Sequence, residues 1–283
     1  MTGWVSEKAY AKINLALHVL GRGSDGYHQL DSIVAFADIA DEIKMRPATA
    51  TSLTVTGPFA AQVPAWQDNI LFKALAVAHE FCQIYGVKIP QLEVHLEKNL
   101  PVAAGIGGGS ADAAAFLRTI FRMAEISITP LQIQNLATKL GADVPVCYLQ
   151  KPARMQGIGE VVSALTVSLP AAIVLVNPQR PSSTVKVFEA LRLNKGQGFR
   201  QLVKVESAPE WRNDLTEAAS AIEPEINKVL ESLQSEPSFT AIRMSGSGAT
   251  CFGLVASRAA ANAAAARLSV RNPQWWVRAA SFL

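Results

Sequence analysis

Residues 101–115 read PVAAGIGGGSADAAA: four glycines fall within the five positions 105–109, and alanine-rich sequence follows at once. A backbone this bare cannot hold a strand or a helix interior, so the stretch is a loop. Before it, QLEVHLEK (91–98) alternates, with Leu92, Val94 and Leu96 on one side, as a strand does. After it, SADAAAFLRTIFRMAEI (110–126) reads as a helix. The loop therefore joins a strand to a helix, and two readings stay open. It is a tight structural turn, or it is a cradle for an anion. Glycine lets backbone approach an anion closely, and the first N–H groups of a helix lack partners within it. Ser110, Ala111 and Asp112 would stand at that helix start, where the dipole favours negative charge.

The loop is not a Walker motif, since no lysine follows the glycines. A G-x-G-x-x-G pattern occurs elsewhere, at Gly21, Gly23 and Gly26, but YHQLDS follows it rather than a helix, and no βαβ unit surrounds it. The rest of the chain mixes elements without strict alternation. AKINLALHVL (11–20) predicts a half-buried strand, with Ile13, Leu15, Leu17 and Val19 inward and Lys12, Asn14 and His18 outward. Strands are expected at 51–57, 171–178, 239–245, 249–256 and 274–281, and helices at 68–86, 130–140, 213–235 and 258–269. This pattern predicts an α+β fold with a division near residue 160.

Composition narrows the function. The net charge is +3 with the basic residues scattered, so no stripe of Lys and Arg follows a nucleic-acid backbone. Cys82, Cys147 and Cys251 are far apart, which predicts free thiols in a reducing compartment. Without an apolar leader or an uninterrupted apolar run of about 18 residues, the expectation is a cytoplasmic protein with no membrane partner. His18, His28, His79 and His95 show no zinc-binding spacing, and there is no G-x-S-x-G elbow.

Four further constellations can carry chemistry. Lys12 and Asn14 share one side of the first strand; they are a solvent-facing edge or a place where lysine steadies negative charge. Tyr27 and His28 follow a glycine turn, and are a hairpin tip or a holder of a planar base. In LGADVPV (140–146), Asp143 sits between a helix stop and a proline, as turn chemistry or as a fixed proton acceptor. MSGSGAT (244–250) is a glycine cluster between two strands, as a hairpin turn or as a functional loop.

Taken in order, AKINLALHV, PVAAGIGGGSA and GSGA resemble the motifs of the GHMP small-molecule kinases. The GYH segment at 26–28 and LGADVP resemble one branch of that superfamily, whose acceptor is a cytidine diphosphate-linked methylerythritol. The resemblance spans nearly the whole chain. It implies an ATP-dependent kinase of the non-mevalonate isoprenoid route, using Mg²⁺. It implies a two-domain α+β GHMP kinase fold: a ribosomal protein S5 domain 2-like N-terminal domain (1–160) and a ferredoxin-like C-terminal domain (161–283). It assigns catalysis to Lys12 and to Asp143, the latter as base for the attacking hydroxyl. The ATP phosphate loop would be Pro101, Val102, Ala103, Ala104, Gly105, Ile106, Gly107, Gly108, Gly109, Ser110 and Ala111, with Asn69 and Lys98 near the adenosine. Ser110 is the candidate magnesium contact; no dedicated protein metal site is expected. Tyr27, His28 and Phe188 would hold the cytosine, with Thr184 and Asn14 as polar contacts. The partners implied are ATP and the small-molecule acceptor, with the protein a monomer or weak homodimer. Two departures stand out: Ala103 and Ala104 replace glycines common in relatives, and Ile106 replaces a leucine. Neither change removes a backbone N–H.

Overall fold

The computed structural model describes residues 3–166, 168–196 and 211–283. The chain forms two compact units, neither continuous in sequence. One takes the described residues through Ala11, then Ile39–Val102 and Gly108–Gln150. The other takes Lys12–Asp38, Ala103–Gly107 and the described part of Lys151–Leu283. Two long strands, β1 (Val5–Arg22) and β2 (His28–Pro47), have one end in each unit.

In the first unit β3 (Ser52–Thr56) runs parallel to β4 (Leu92–Glu97), and β4 is antiparallel to Glu42–Pro47 of β2. The expected alternation is present in β4: Leu92, Val94 and Leu96 are buried and Glu97 is exposed. Helix α1 (Ile70–Ile84) starts at Asn69, whose side chain accepts from the N–H of Leu71 and so satisfies one of the orphan donors of the first turn. Helix α2 (Gly108–Met123) begins two residues before the predicted start, because Gly108 and Gly109 themselves wind into the first turn. It packs against α1 and α4 (Val144–Leu149) and buries Ala111, Ala113, Ala114 and Ala115, whose small side chains suit close helix packing. Helix α3 (Pro130–Thr138) opens with a capping box between Thr129 and Gln132 and with proline in the first turn, where its missing N–H costs nothing.

In the second unit β5 (Ala153–Gly157) pairs with Leu30–Val34 of β2 and with β6 (Val161–Ala164), both antiparallel. A separate four-stranded antiparallel sheet has the order β10–β7–β9–β8, from β7 (Ala172–Asn177), β8 (Ala241–Met244), β9 (Cys251–Val255) and β10 (Trp276–Ala280). Every residue of β7 and β9 is buried, as expected for central strands covered on both faces. Helices α7 (Glu225–Gln234) and α8 (Arg258–Arg271) join this core through Ile226, Val229 and Leu233 and through Ala261, Ala264 and Leu268. Helix α5 (Thr184–Ala190) adds Val187 to it.

Three expectations are corrected. The helix predicted over 213–235 is two helices, α6 (Thr216–Ile222) and α7, with Pro224 between them. Glu223, the residue before the proline, is extended at φ −126° and ψ 92°, because the proline ring crowds a helical conformation there. The strand 11–20 is not half-buried: Lys12, Asn14 and His18 are 4%, 3% and 5% exposed. The polar side of β1 is covered, so its alternation records two buried environments rather than core and solvent. Finally, β2, β5, β6, α4 and α5 were not anticipated. In β2 the acidic residues Asp31, Asp38, Asp41 and Glu42 break the apolar pattern, yet Asp31 and Asp41 are fully buried in ion pairs with Arg154 and Lys98.

Candidate active site

Within the second unit, four consecutive carbonyls of the glycine loop are held by protein donors. The N–H of Ser182 donates to Ala103 O at 3.1 Å, and that of Thr250 to Ala104 O at 3.1 Å. The hydroxyl of Ser245 donates to Gly105 O at 2.9 Å, and the N–H of Lys12 to Ile106 O at 3.0 Å. In a trans peptide the N–H points opposite to the C=O. Each N–H of residues 104–107 therefore points away from the donor that holds the carbonyl of its own peptide, and its direction is fixed by that bond. An array whose orientation is set in advance spends little free energy on reorganisation when charge is bound.

The bare backbone has a second cause. Gly105 is at φ +75°, and a β-carbon there would lie 2.3 Å from Ser245 O and 2.8 Å from Gly248 N. Gly246 faces back: its β-carbon would lie 2.6 Å from Gly105 O. Two glycine turns far apart in sequence thus meet backbone to backbone. Gly109 differs, since a β-carbon there would meet nothing within 4 Å. The two readings of the loop divide by residue: Gly105 is required by packing, and Gly109 borders open space. Ala103 adopts φ 51°, a left-handed conformation usually left to glycine, which is where the departure from the family pattern falls.

Within the first unit, Lys98 directly follows β4, the strand that enters the loop, and Asp112 lies in the helix that leaves it. Lys98 Nζ donates to Asp41 Oδ2 at 2.5 Å and to Asp112 Oδ2 at 2.6 Å, with all three side chains buried. Asp41 Oδ1 also accepts from the N–H groups of Asn99 and Leu100, at 2.6 and 2.8 Å. Burial first, and then the neighbouring Asp41, push the Asp112 carboxyl up to about 7, against the pull of Lys98. Burial opposes the charge on Lys98, but the two carboxylates outweigh it and hold its ammonium protonated. The lysine charge is thus engaged inside the protein. Asn69, buried at the start of α1, also donates to Pro64 O at 3.4 Å. Asp143 sits at the N-cap position of α4, half-buried, and its side chain makes no capping hydrogen bond.

At the proposed cytosine end, all within the second unit, the His28 ring packs on Phe188 with centroids 4.9 Å apart and planes 31° apart. Burial, then the nearby Arg22, lower the His28 pKa and so favour the neutral ring. Its Nε2 is buried without a hydrogen-bond partner. Tyr27 is 61% exposed beside it. Thr184 Oγ1 is 2.8 Å from Ser247 Oγ. Asn14 donates its backbone N–H to Ser245 Oγ at 3.1 Å and its Nδ2 to Ser32 Oγ at 2.8 Å, while its Oδ1 is buried and unpaired.

The structure thus joins Lys12 to the loop directly at Ile106, joins Asn14 to it at Gly105 through Ser245, and joins His28 to Phe188. Asp143, Asn69, Lys98 and Ser110 belong to the other unit. Sequence reading passed over Ser182, Ser245, Thr250 and Asn213 as site residues. Asn213 donates to the carbonyls of Met244 and Gly246, at 2.8 Å each, and so steadies the second glycine turn. The motif MSGSGAT marked the place, but nothing local tells which carbonyl its serine holds. Among the described residues no group of three or more His, Cys, Asp or Glu is placed to hold a metal ion, and no helix is long and apolar enough to cross a membrane.

The α+β frame, with its glycine loop between β4 and α2, is that of a small-molecule kinase of the GHMP class. Residues 69–151 match the model of the GHMP kinases N terminal domain, and residues 187–273 that of the GHMP kinases C terminal domain. A 4-diphosphocytidyl-2-C-methyl-D-erythritol kinase from Bradyrhizobium sp. (strain BTAi1 / ATCC BAA-1182) is 42% identical over 97% of this chain and 95% of its own length. The enzyme of that name from Paramagnetospirillum magneticum is 43% identical over 98% of each chain. A crystal structure of 4-(cytidine 5'-diphospho)-2C-methyl-D-erythritol kinase superposes with a TM-score of 0.78 at 28% identity, covering 98% of this chain and 99% of that one. The chain belongs to the 4-diphosphocytidyl-2-C-methyl-D-erythritol kinase family of the GHMP kinases and has their two-domain α+β fold.

Proposed function

We propose that the protein transfers the γ-phosphoryl group of ATP to the 2-hydroxyl of 4-diphosphocytidyl-2-C-methyl-D-erythritol, a step of the non-mevalonate route to isoprenoid precursors. The observation that carries this reading is the match, over nearly the whole chain, to relatives of that activity at 42% and 43% identity. The four engaged carbonyls of the glycine loop give it a physical basis. Phosphoryl transfer asks little covalent chemistry of a protein; it asks for positioning and for charge stabilisation.

In this reading the N–H groups of the loop and of the first turn of α2 hold the phosphates of ATP. Asn69 and Lys98 belong to the adenosine end, where Lys98 acts by holding the loop rather than by presenting a free charge. Asp143 accepts the proton of the attacking hydroxyl, and the Lys12 ammonium stabilises the negative charge that develops in the transfer. Tyr27, His28 and Phe188 hold the cytosine, with Thr184 and Asn14 as polar contacts. Magnesium brought in with ATP supplies charge neutralisation at the phosphates. Its preference for phosphate oxygens, water and few protein ligands fits the Ser110 hydroxyl in the first turn of α2. The family-model matches support functional domains divided as 1–160 and 161–283, since one match falls in each. The protein is proposed to act in the cytoplasm, as a monomer or weak homodimer.

The test is a ³¹P NMR assay of protein, Mg²⁺, ATP and the cytidine diphosphate-linked acceptor, with D143N alongside. A new phosphomonoester signal with ADP, reduced about 10²–10⁴-fold in D143N, is expected. Absence of that signal with folded wild-type protein overturns the substrate, and near-normal turnover by D143N overturns the role of Asp143.

A further inference from the structure

The Lys98 ammonium lies between two buried carboxylates that the reaction, as proposed, does not use. Asp41 comes from β2, 57 positions earlier, and Asp112 from α2, 14 positions later. Each carboxylate grips a different part of the same segment. Asp41 holds the backbone that enters the loop, through the N–H groups of Asn99 and Leu100 as well as through Lys98. Asp112 stands in the second turn of α2, beyond Gly108, Gly109 and Ser110. A β-carbon on Gly108 would lie 3.3 Å from Lys98 Nζ and 3.9 Å from Asp41 Oδ2, so the first turn of α2 rests on this cluster.

We propose that Asp112, acting through Lys98 and Asp41, is a positioning residue for ATP: the three side chains fasten the helix that leaves the phosphate loop to the strand that enters it. This inference rests on the kinase reading above. Its physical content is that the direction of the first-turn N–H groups of α2 is set by one buried ammonium shared between two carboxylates. A buried charge cluster is a poor source of net stability, because desolvation cancels much of the attraction. It is a good source of fixed geometry, because any displacement leaves a charge unpaired in a low-dielectric surrounding. Asp112 Oδ1 is buried with no partner, so the cluster is not arranged to satisfy every lone pair. It is arranged to bring Lys98 into reach of both ends of the loop. The carboxyl faces Lys98 and Asp41 and titrates near neutrality, consistent with a cluster that carries more acid than one ammonium neutralises.

The experiment is a calorimetric titration of ATP with Mg²⁺ into wild type, D112N, D41N and E236Q, beside steady-state kinetics. Glu236 is the control: it is another buried carboxylate, shared by Arg267 and Arg271, outside the loop. The expected result is that D112N weakens ATP binding about tenfold or more and raises the KM for ATP more than it lowers kcat, within the ~10²-fold that a small misplacement can cost. D41N, which keeps an oxygen for the two backbone N–H groups, shows a smaller loss of the same kind. E236Q lowers the melting temperature but moves ATP affinity less than twofold. ATP affinity in D112N within twofold of wild type overturns the inference; if D112N does not fold, unchanged affinity in D41N does the same. Wild-type protein that binds no ATP overturns the kinase reading itself, a separate outcome.

Discussion

The backbone N–H of Lys12 donates to the carbonyl of Ile106 at 3.0 Å, so the strand that carries the proposed catalytic lysine is tied by a main-chain bond to the phosphate loop. The register between lysine and loop is thereby independent of the lysine side chain. Replacing that side chain removes its charge and leaves the tie in place. K12M is expected to lower kcat by about 10²-fold or more while changing ATP affinity far less. Steady-state kinetics beside direct ATP titration separates the two, and a matching loss in ATP affinity would contradict this division of labour.

The glycines of the loop should respond differently to the same substitution. G105A places a methyl group against Ser245 O and Gly248 N at a positive φ, so it should cost roughly 2–5 kcal/mol of stability. G109A meets open space in the first turn of a helix and should be neutral or stabilising by up to about 1 kcal/mol. Its cost appears instead as a raised KM for ATP. Urea denaturation of the two variants decides whether packing and ligand approach are divided between these residues.

Phe188 lies against His28, the pair proposed to hold the cytosine. F188A should weaken the cytidine diphosphate-linked acceptor by about 1–3 kcal/mol, the usual worth of a base stacked on an aromatic ring. The KM for ATP should not follow. If acceptor affinity stayed as in wild type, the cytosine would have to be held elsewhere.

Asp112 also makes stability depend on pH. Its carboxyl titrates near 7 when folded, against 3.8 for an ordinary aspartate, so between those values the folded state holds a proton that the unfolded chain has released. Stability from this group is therefore full at low pH and is lost as pH rises through about 7. Asparagine stays neutral throughout. Denaturation midpoints at pH 5 and pH 8 should show wild type losing more stability than D112N over that interval; equal losses would mean that the group does not titrate there.

Much of the fold could be read locally. Asn69, Thr129 and Ser257 cap helices where their side chains can reach nearby N–H groups, and β4 alternates because one of its faces is wet. The elements that escaped have non-local causes. The acidic residues of β2 look like loop until Arg154 and Lys98 are found beside them. Lys12 and Asn14 look like a solvent edge until the covering of β1 is seen. The break at Pro224 was legible, since the proline stands in the sequence, but the flanking helical composition masked it.

The sequence by itself determined the glycine loop between strand and helix, most helix starts and stops, and the order of motifs that resembles one kinase family. These depend on residues within a few positions of one another, where steric preference and hydrogen-bonding reach are short. Only the tertiary structure decided which donors hold the loop's four carbonyls, why Gly105 cannot carry a side chain, and where the charge of Lys98 is directed. Those facts depend on Ser245 meeting Gly105 across 140 positions and on Asp41 meeting Lys98 across 57. No local preference encodes such meetings. They arise because burying the two sheets and their helices leaves few places where polar groups can still be paired.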